Sequence, residues 1–143
     1  MNTESNKRLV KQYYEEVVSK CQLDRVESFV AEDYVEVHDN KRYPIGRAGA
    51  KEHILGVRST YPDMRLIVHR QIAEGEWVVT QLTMRGTHSG EWQGILPTGR
   101  TVEISAVNVD RVVDGQIVEH GGAANMLGPF LEIGAVKIVD KRD

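Results

Sequence analysis

The spacing of apolar residues changes once along this chain, and that change limits the folds it can adopt. Before Pro62 most apolar residues recur every three or four positions, which is typical of amphipathic helices. From Met64 onward apolar and polar residues alternate, which is typical of strands with one buried face. Helices that precede a set of strands indicate an α+β fold rather than repeated β-α-β units.

The first sixty or so residues predict three helices and one strand. A shorter helix over residues 23–30 follows the first, and a third runs from Ala50 to Tyr61, where Pro62 ends it. Residues 34–38 are β-prone and precede two turn residues, so a strand is expected there. The first helix carries one apolar stripe, which consists of Val10, Tyr13, Tyr14, Val17, Val18 and Cys21.

The rest of the chain predicts four strands, over residues 66–73, 77–87, 101–113 and 116–121. Short turns join neighbouring strands as hairpins, so we expect an antiparallel sheet with the helices on one face. A long curved antiparallel sheet packed against about three N-terminal helices forms a cone. Residues 127–143 are expected to form a short helical or extended tail.

Length and charge exclude several classes of protein. The 143 residues correspond to one domain, spanning residues 1–143. A net charge of -3 provides no basic surface for a nucleic acid, and no apolar run approaches the roughly 20 residues that cross a bilayer. The N-terminal residues do not resemble a secretory leader, so we expect a cytoplasmic protein. Cys21 stands alone and the histidines are scattered, so neither a disulfide nor a metal site is expected.

Two segments in the second half of the chain carry a family resemblance. Residues 86–100 read GTHSGEWQGILPTGR, and residues 111–120 read RVVDGQIVEH. They resemble the SnoaL-like polyketide cyclase family of the nuclear transport factor 2-like superfamily. Further matching positions lie nearer the N-terminus, namely Asp33-Tyr34-Val35, His38, residues 46–52 and residues 61–64. The resemblance extends roughly from residue 7 to residue 135.

The resemblance implies a cone-shaped α+β barrel around a closed hydrophobic cavity, and a homodimer packed through the outer face of the sheet. It also implies aldol chemistry that closes a polyketide ring, with an aspartate as general acid/base and with neither a metal nor a cofactor. A small hydrophobic ligand is therefore the expected partner, whereas a nucleic acid or a membrane is not. The same fold also carries isomerases, dehydratases and binding proteins, so the fold alone does not fix the activity.

The chain departs from the family pattern at the end of its last predicted strand. Family members continue with Glu-His-Trp-Asp and a second Asp three residues on, whereas this chain reads EHGGAAN over residues 119–125. The resemblance therefore implies that Gly121 replaces the Trp, Gly122 the acid/base Asp and Asn125 the second Asp. Either another residue acts as the base, or the protein binds its ligand without converting it.

The turn at residues 114–115 decides which side chains meet across the last hairpin. A two-residue type I′ turn places Asp110 opposite Glu119, two carboxylates facing each other. A type I turn with a glycine bulge places Asn108 opposite His120 and brings the family's catalytic positions onto one face. We favour the second register for that reason.

His120, His38 and Asn108 are the predicted catalytic residues. The unperturbed pKa of a histidine is near 6.5, so His120 suits a general base, with Asn108 as the donor to an enolate oxygen. His38 ends the first strand near the expected cavity mouth. The predicted ligand-binding residues are those expected at the cavity wall, Tyr14, Trp92, Asp110, Gly122 and Asn125. Hydrogen bonding at strand ends and core packing are the structural alternatives for these residues.

Two classes of function remain open. In the first, the protein binds an apolar, oxygenated small molecule and performs metal-free acid/base chemistry, such as aldol-type cyclisation or isomerisation. In the second, it is a non-catalytic binding or scaffold protein on the same fold, because Gly122 and Asn125 stand where the family has acids. The chemical fate of a bound ligand distinguishes the two classes.

Overall fold

The chain folds as the change in apolar spacing predicts, with helices first and most strands later. In the computed structural model, which describes residues 2–140, helix α1 spans Thr3–Gln12 and continues as a π-helical segment over Tyr13–Val18. Asn2 caps α1, because its side chain accepts a hydrogen bond from the backbone N–H of Ser5. A 3₁₀ helix at Leu23–Ser28 follows, and the later helices are α2 (Gly46–Thr60) and α3 (Leu127–Glu132).

Six strands form one curved sheet. They are β1 (Val30–His38), β2 (Lys41–Tyr43), β3 (Arg65–Glu74), β4 (Trp77–Thr87), β5 (Thr101–Val113) and β6 (Gln116–Ala124). Their order across the sheet is β2-β1-β6-β5-β4-β3, so over the described residues the sheet keeps two free edges and does not close into a barrel. The predicted α+β class is confirmed.

The helices cover the inward face of the sheet and bury the core there. Val10, Tyr13, Tyr14 and Val17, four members of the predicted stripe, are buried. They share one cluster with inward residues of β1, β4, β5 and β6. Full burial of an aliphatic side chain stabilises a fold by about 1.5–3 kcal/mol, so this face of the helix anchors it to the sheet.

A β-bulge sets the register of the last hairpin. Residues 114 and 115 both have positive φ, 49° and 75°, as a tight two-residue turn requires. The pairing of β5 with β6 then skips Val118, an extra residue in β6, and places Asp110 opposite His120. The favoured register, with Asn108 opposite His120, is therefore wrong. The other register, with Asp110 opposite Glu119, is wrong as well. Both predicted registers depend only on the turn at residues 114–115. The bulge lies at Val118, inside β6, so the turn residues do not predict it.

Three further details differ from expectation. β1 pairs with β6 in parallel, so the sheet is mixed. β2 is a short, exposed edge strand that the sequence pattern does not predict. The helix predicted over residues 23–30 is a 3₁₀ helix that ends at Ser28, and Val30 already belongs to β1.

The predicted tail begins with the short helix α3, while residues 141–143 lie outside the described part of the chain. Across residues 2–140, no helix combines the length and the apolar character needed to cross a membrane.

Candidate active site

A pocket of about 490 Å³ lies between the inward face of the sheet and the helices. Part of its wall is apolar and includes Met64, Leu66, Met84, Trp92 and Ile104. The rest carries polar and ionisable side chains, namely Tyr14, Tyr34, Glu36, His38, His53, Asn108, Asp110 and His120. An apolar pocket with a few convergent polar groups is the usual form of a small-molecule site.

Asp110 and His120 form a buried pair on neighbouring strands. The Nδ1 atom of His120 lies 2.6 Å from Oδ1 of Asp110. The Asp110 side chain is fully buried, and that of His120 is 19% exposed. Because Nδ1 faces the carboxylate, it carries a proton, and Nε2 has no hydrogen-bond partner among residues 2–140. Nε2 is therefore the nitrogen available to a ligand.

Tyr14 and Asn108 complete the network around this pair. The Tyr14 hydroxyl donates to Oδ2 of Asp110 and lies 3.3 Å from Nδ1 of His120. Nδ2 of Asn108 donates to the Tyr14 hydroxyl oxygen at 3.4 Å. Tyr14 lies in the π-helical segment, where the N–H of Ser19 bonds to the Tyr14 carbonyl five residues earlier. Turns of this kind are frequent at functional sites.

The network shifts the protonation of two of its members. Burial lowers the pKa of His120, but the charge and hydrogen bond of Asp110 and the charge of Glu36 outweigh it, so the pKa is raised overall. Burial, followed by the charge of Asp110, raises the pKa of Tyr14 well above its ordinary value. Tyr14 therefore remains a hydroxyl donor, while His120 is the member that exchanges a proton.

A second polar cluster surrounds Glu36 in the same pocket. Oε2 of Glu36 accepts from the Tyr34 hydroxyl at 2.9 Å and lies 3.0 Å from Nδ1 of His53. Nε2 of His38 lies 3.3 Å from Oε1. The Glu36 side chain is 8% exposed, whereas both histidines are half-exposed, so solvent reaches the pocket beside them.

The partners of Glu36 keep it ionised. Burial raises the pKa of a carboxyl, but the hydrogen bond and charge of His53 and the hydrogen bonds of Tyr34 and His38 outweigh it. The resulting pKa of Glu36 is about 2. Within the described part of the chain, no three His, Cys, Asp or Glu side chains are grouped so as to hold a metal ion.

Trp92 lies at the apolar end of the pocket. Its ring centroid is 4.6 Å from that of Phe130 and 5.3 Å from that of Tyr61. Trp92 is 8% exposed and lines the pocket, so it both packs in the core and offers a ring to an apolar ligand.

Gly121 and Gly122 lie where neighbouring backbone segments approach closely. A Cβ atom at Gly121 would lie 2.6 Å from the carbonyl oxygen of Val37, and one at Gly122 would lie 2.6 Å from Oδ1 of Asn108. Gly122 also has a φ of +150°, which side-chain-bearing residues rarely adopt. Neither the Trp nor the Asp of the family pattern fits these positions without movement of the backbone.

Substitution of Gly122 by alanine is expected to lower the free energy of unfolding by about 1–3 kcal/mol, because the added Cβ meets Asn108 and the backbone of β5. Urea denaturation measures the change. Gly128→Ala is the matched control, since a Cβ at Gly128 has nothing within 4 Å. Equal stability of the two variants would contradict this account of Gly122.

The structure brings four of the predicted site residues into one network, Tyr14, Asn108, Asp110 and His120. Gly122 and Trp92 line the same pocket, and His38 lies in the Glu36 cluster. Asn125 does not line the pocket. It follows the end of β6 and is exposed, and its N–H bonds to the carbonyl of Ser105 at 2.8 Å.

Glu36, His53 and Tyr34 belong to the site but were not among the predicted residues. Alternation along β1 places Tyr34, Glu36 and His38 on one face, toward the pocket. The position of Glu36 between these two side chains is the sequence pattern that predicts an inward-facing acid. His53 gives no such signal, because its proximity to Glu36 arises from the packing of α2 against β1.

The fold and site together define a family. The sequence profile of the SnoaL-like polyketide cyclases matches residues 8–133, and the chain belongs to that family. Nogalonic acid methyl ester cyclase from Streptomyces nogalater is 32% identical over 79 residues, which are 54% of this chain and 59% of that protein. The chain spans between 37% and 59% of the length of the curated relatives it matches.

Solved structures of similar fold cover nearly the whole chain. AclR, a proposed hydroxylase from Streptomyces galilaeus, has a TM-score of 0.84 and 26% identity and covers 95% of this chain and 100% of its own. IdmH, a proposed polyketide cyclase from Streptomyces antibioticus, has a TM-score of 0.77 and 28% identity, with 92% of this chain and 99% of its own covered. The resemblance to SnoaL-like cyclases is thus confirmed in sequence and in fold.

Proposed function

We propose that this protein closes a ring in a polyketide-like ketone by aldol-type chemistry, using side-chain acid and base groups, with His120 as the base. The observation that carries the proposal is the Asp110–His120 pair on the pocket wall, with 2.6 Å between Nδ1 and Oδ1. Aldol closure begins with removal of a proton from a carbon next to a carbonyl. Nε2 of His120 supplies the lone pair that takes this proton.

Asp110 has a supporting role in this reaction. Its carboxylate holds the imidazole in the tautomer that leaves Nε2 free and stabilises the imidazolium after proton removal. Tyr14 donates to the other oxygen of Asp110, so the carboxylate is satisfied on both sides. The buried position of Asp110 excludes water and strengthens this electrostatic support.

Asn108 and His38 are the further residues that we assign to the ligand. One N–H of the Asn108 amide contacts Tyr14, and the second is available to the enolate oxygen. His38 is half-exposed beside Glu36 and is placed to contact polar groups of a ligand that enters there. Trp92 and the apolar wall would bind the ring system.

The test is the chemical fate of defined ligands. Because curated relatives are named as cyclases of nogalonic and aklanonic acid methyl esters, these two esters are the first probes. After incubation, each recovered ester is analysed by mass and chromatographic retention. A shifted retention at constant mass supports ring closure, because an intramolecular aldol addition loses no atoms. A loss of water would instead support a dehydratase.

A binding protein is the second candidate function, and Gly122 favours it. The backbone at Gly122 leaves no room for the carboxylate that the family pattern places there. If both esters return unchanged while either binds with micromolar affinity, the binding function replaces the catalytic one.

A further inference from the structure

The pocket holds a second carboxylate–imidazole pair, formed by Glu36 and His53. We propose that His53 delivers a proton to the ligand oxygen that becomes a hydroxyl during ring closure, with Glu36 as the residue that positions it. This inference rests on the proposed ring-closing function. It assigns proton removal and proton delivery to two different histidines.

Of the Glu36–His53 pair, His53 is the residue with a ring nitrogen available to a ligand. Oε2 of Glu36 is occupied by the Tyr34 hydroxyl and by Nδ1 of His53, at 2.9 and 3.0 Å. The Glu36 side chain is 8% exposed, and both of its carboxylate oxygens lie within 3.3 Å of protein hydrogen-bonding groups. The His53 side chain is 49% exposed and lines the pocket, and its Nε2 has no hydrogen-bond partner among residues 2–140.

His53 is the better placed of the two histidines on Glu36. Its contact at 3.0 Å is within the normal range for an N–H···O hydrogen bond, whereas the His38 contact is 3.3 Å. The His38 ring also packs against Tyr43, with centroids 5.7 Å apart. Nδ1 of His53 therefore faces the Glu36 carboxylate, as Nδ1 of His120 faces that of Asp110.

The two pairs are neighbours on the inward face of the sheet. His120 is paired in register with Asp110 on one side and with Glu36 on the other, so the three lie in one row across β5, β6 and β1. The Tyr34 ring lies 6.5 Å from the His120 ring at 26°, and its hydroxyl bonds to Glu36. A ligand that contacts His120 therefore extends toward the Glu36–His53 pair within the same pocket.

The step balances without another reactant. Nε2 of His120 takes the proton from the carbon next to one carbonyl, and the electron pair left behind forms the enolate. The enolate carbon attacks a second carbonyl carbon of the same molecule, a carbon–carbon bond forms, and the carbonyl π electrons move to its oxygen. His53 enters this step as the imidazolium, passes the proton on Nε2 to that oxygen and becomes neutral, keeping its other proton on Nδ1 toward Glu36. His120 then returns its proton to water, and His53 regains one from water.

The experiment separates proton removal from proton delivery. The wild-type protein and the His53→Gln, Glu36→Gln and His120→Gln variants are incubated with nogalonic and aklanonic acid methyl esters in D₂O. Deuterium incorporation into unclosed ester, above the rate without protein, reports proton removal, and the closed product reports the whole reaction. We expect His53→Gln to slow closure about 100-fold or more while exchange stays within about threefold of wild type. His120→Gln is expected to lose both deuterium exchange and ring closure.

Glu36→Gln tests the positioning role, because a general structural defect would lower exchange and closure together. We expect it to slow closure, as His53→Gln does, while exchange persists with its pH profile moved to lower pH, because the charge of Glu36 also raises the pKa of His120. His38→Gln is the matched comparison at the other histidine on Glu36 and is expected to slow closure less than His53→Gln.

The outcomes distinguish the inference from the proposed function. A wild-type protein that neither exchanges nor closes either ester overturns the proposed ring closure itself. A wild type that closes the ring, with His53→Gln closing it at the same rate, overturns the assignment of His53 alone. Equal loss of exchange and closure in His53→Gln, with unchanged thermal unfolding, also overturns it, because His53 would then act in proton removal.

Discussion

His120→Gln is expected to lower the turnover number for ring closure by about 10²–10⁴-fold, the usual contribution of a general acid/base. Glutamine can still hydrogen-bond to Asp110 and approximates the length of the imidazole, so the pocket should keep its shape. Its amide cannot take up a proton near neutral pH. We expect the KM to change less than about threefold, because the apolar wall that binds the ring system is untouched. Steady-state kinetics on the ester that the wild type converts provide both values.

The matched control is His69→Gln, which removes a histidine from the exposed surface of β3. His69 bonds to the Thr83 hydroxyl at 2.8 Å and does not line the pocket, so its variant should keep wild-type turnover. A His120→Gln protein with more than a tenth of the wild-type turnover number would show that another group removes the proton.

The elements of this fold follow from local patterns, and the pairing between them follows less well. The apolar stripe through Val10 and Val17 and the alternation from Met64 onward predict the helices and the hairpins, because each pattern reports which side of an element is buried. The bulge at Val118 and the parallel pairing of β1 with β6 depend on contacts between distant segments. The residues of a single strand do not encode them.

The same distinction applies to the candidate site. Alternation along β5 places Asn108 and Asp110 on one face, and the structure has both at the pocket. The partner of His120 depends on the bulge, because the two-residue turn alone would place His120 opposite Val109 and the extra residue Val118 moves it opposite Asp110. The helix α2 brings His53 to Glu36 from 17 residues away in the chain, so this contact follows from tertiary packing. Sequence therefore predicts the chemical groups on each strand better than their pairing.

Asp110→Ala is expected to lower the free energy of unfolding by about 3–5 kcal/mol, the usual cost of removing one partner from a buried ionic pair. Asp110 is fully buried and accepts from Tyr14 and His120, so its loss leaves two buried polar groups without their partner. Urea denaturation followed by tryptophan fluorescence measures the change. Because this variant leaves a cavity as well, Asp110→Asn is the sharper test of the charge, since it keeps the shape of the side chain.

The pH dependence of the free energy of unfolding shows whether the charge of Asp110 raises the pKa of His120. In the wild type the pKa of His120 is raised above 6.5, so its contribution to stability is complete below that pH and is lost as the pH rises through the folded-state pKa. Without the charge of Asp110, burial becomes the dominant influence and lowers the pKa of His120 below 6.5. The contribution of His120 is then lost as the pH falls. We therefore expect the difference in free energy of unfolding between the wild type and Asp110→Asn to increase as the pH falls from 8 to 5.

Asp114→Asn is the matched control for this titration. It removes the same charge from an exposed turn residue with positive φ, a conformation that asparagine tolerates well. Its stability should stay parallel to that of the wild type across the same pH range. If Asp110→Asn also runs parallel to the wild type, Asp110 does not control the protonation of His120, and the proposal that this pair forms the acid/base centre loses its electrostatic basis.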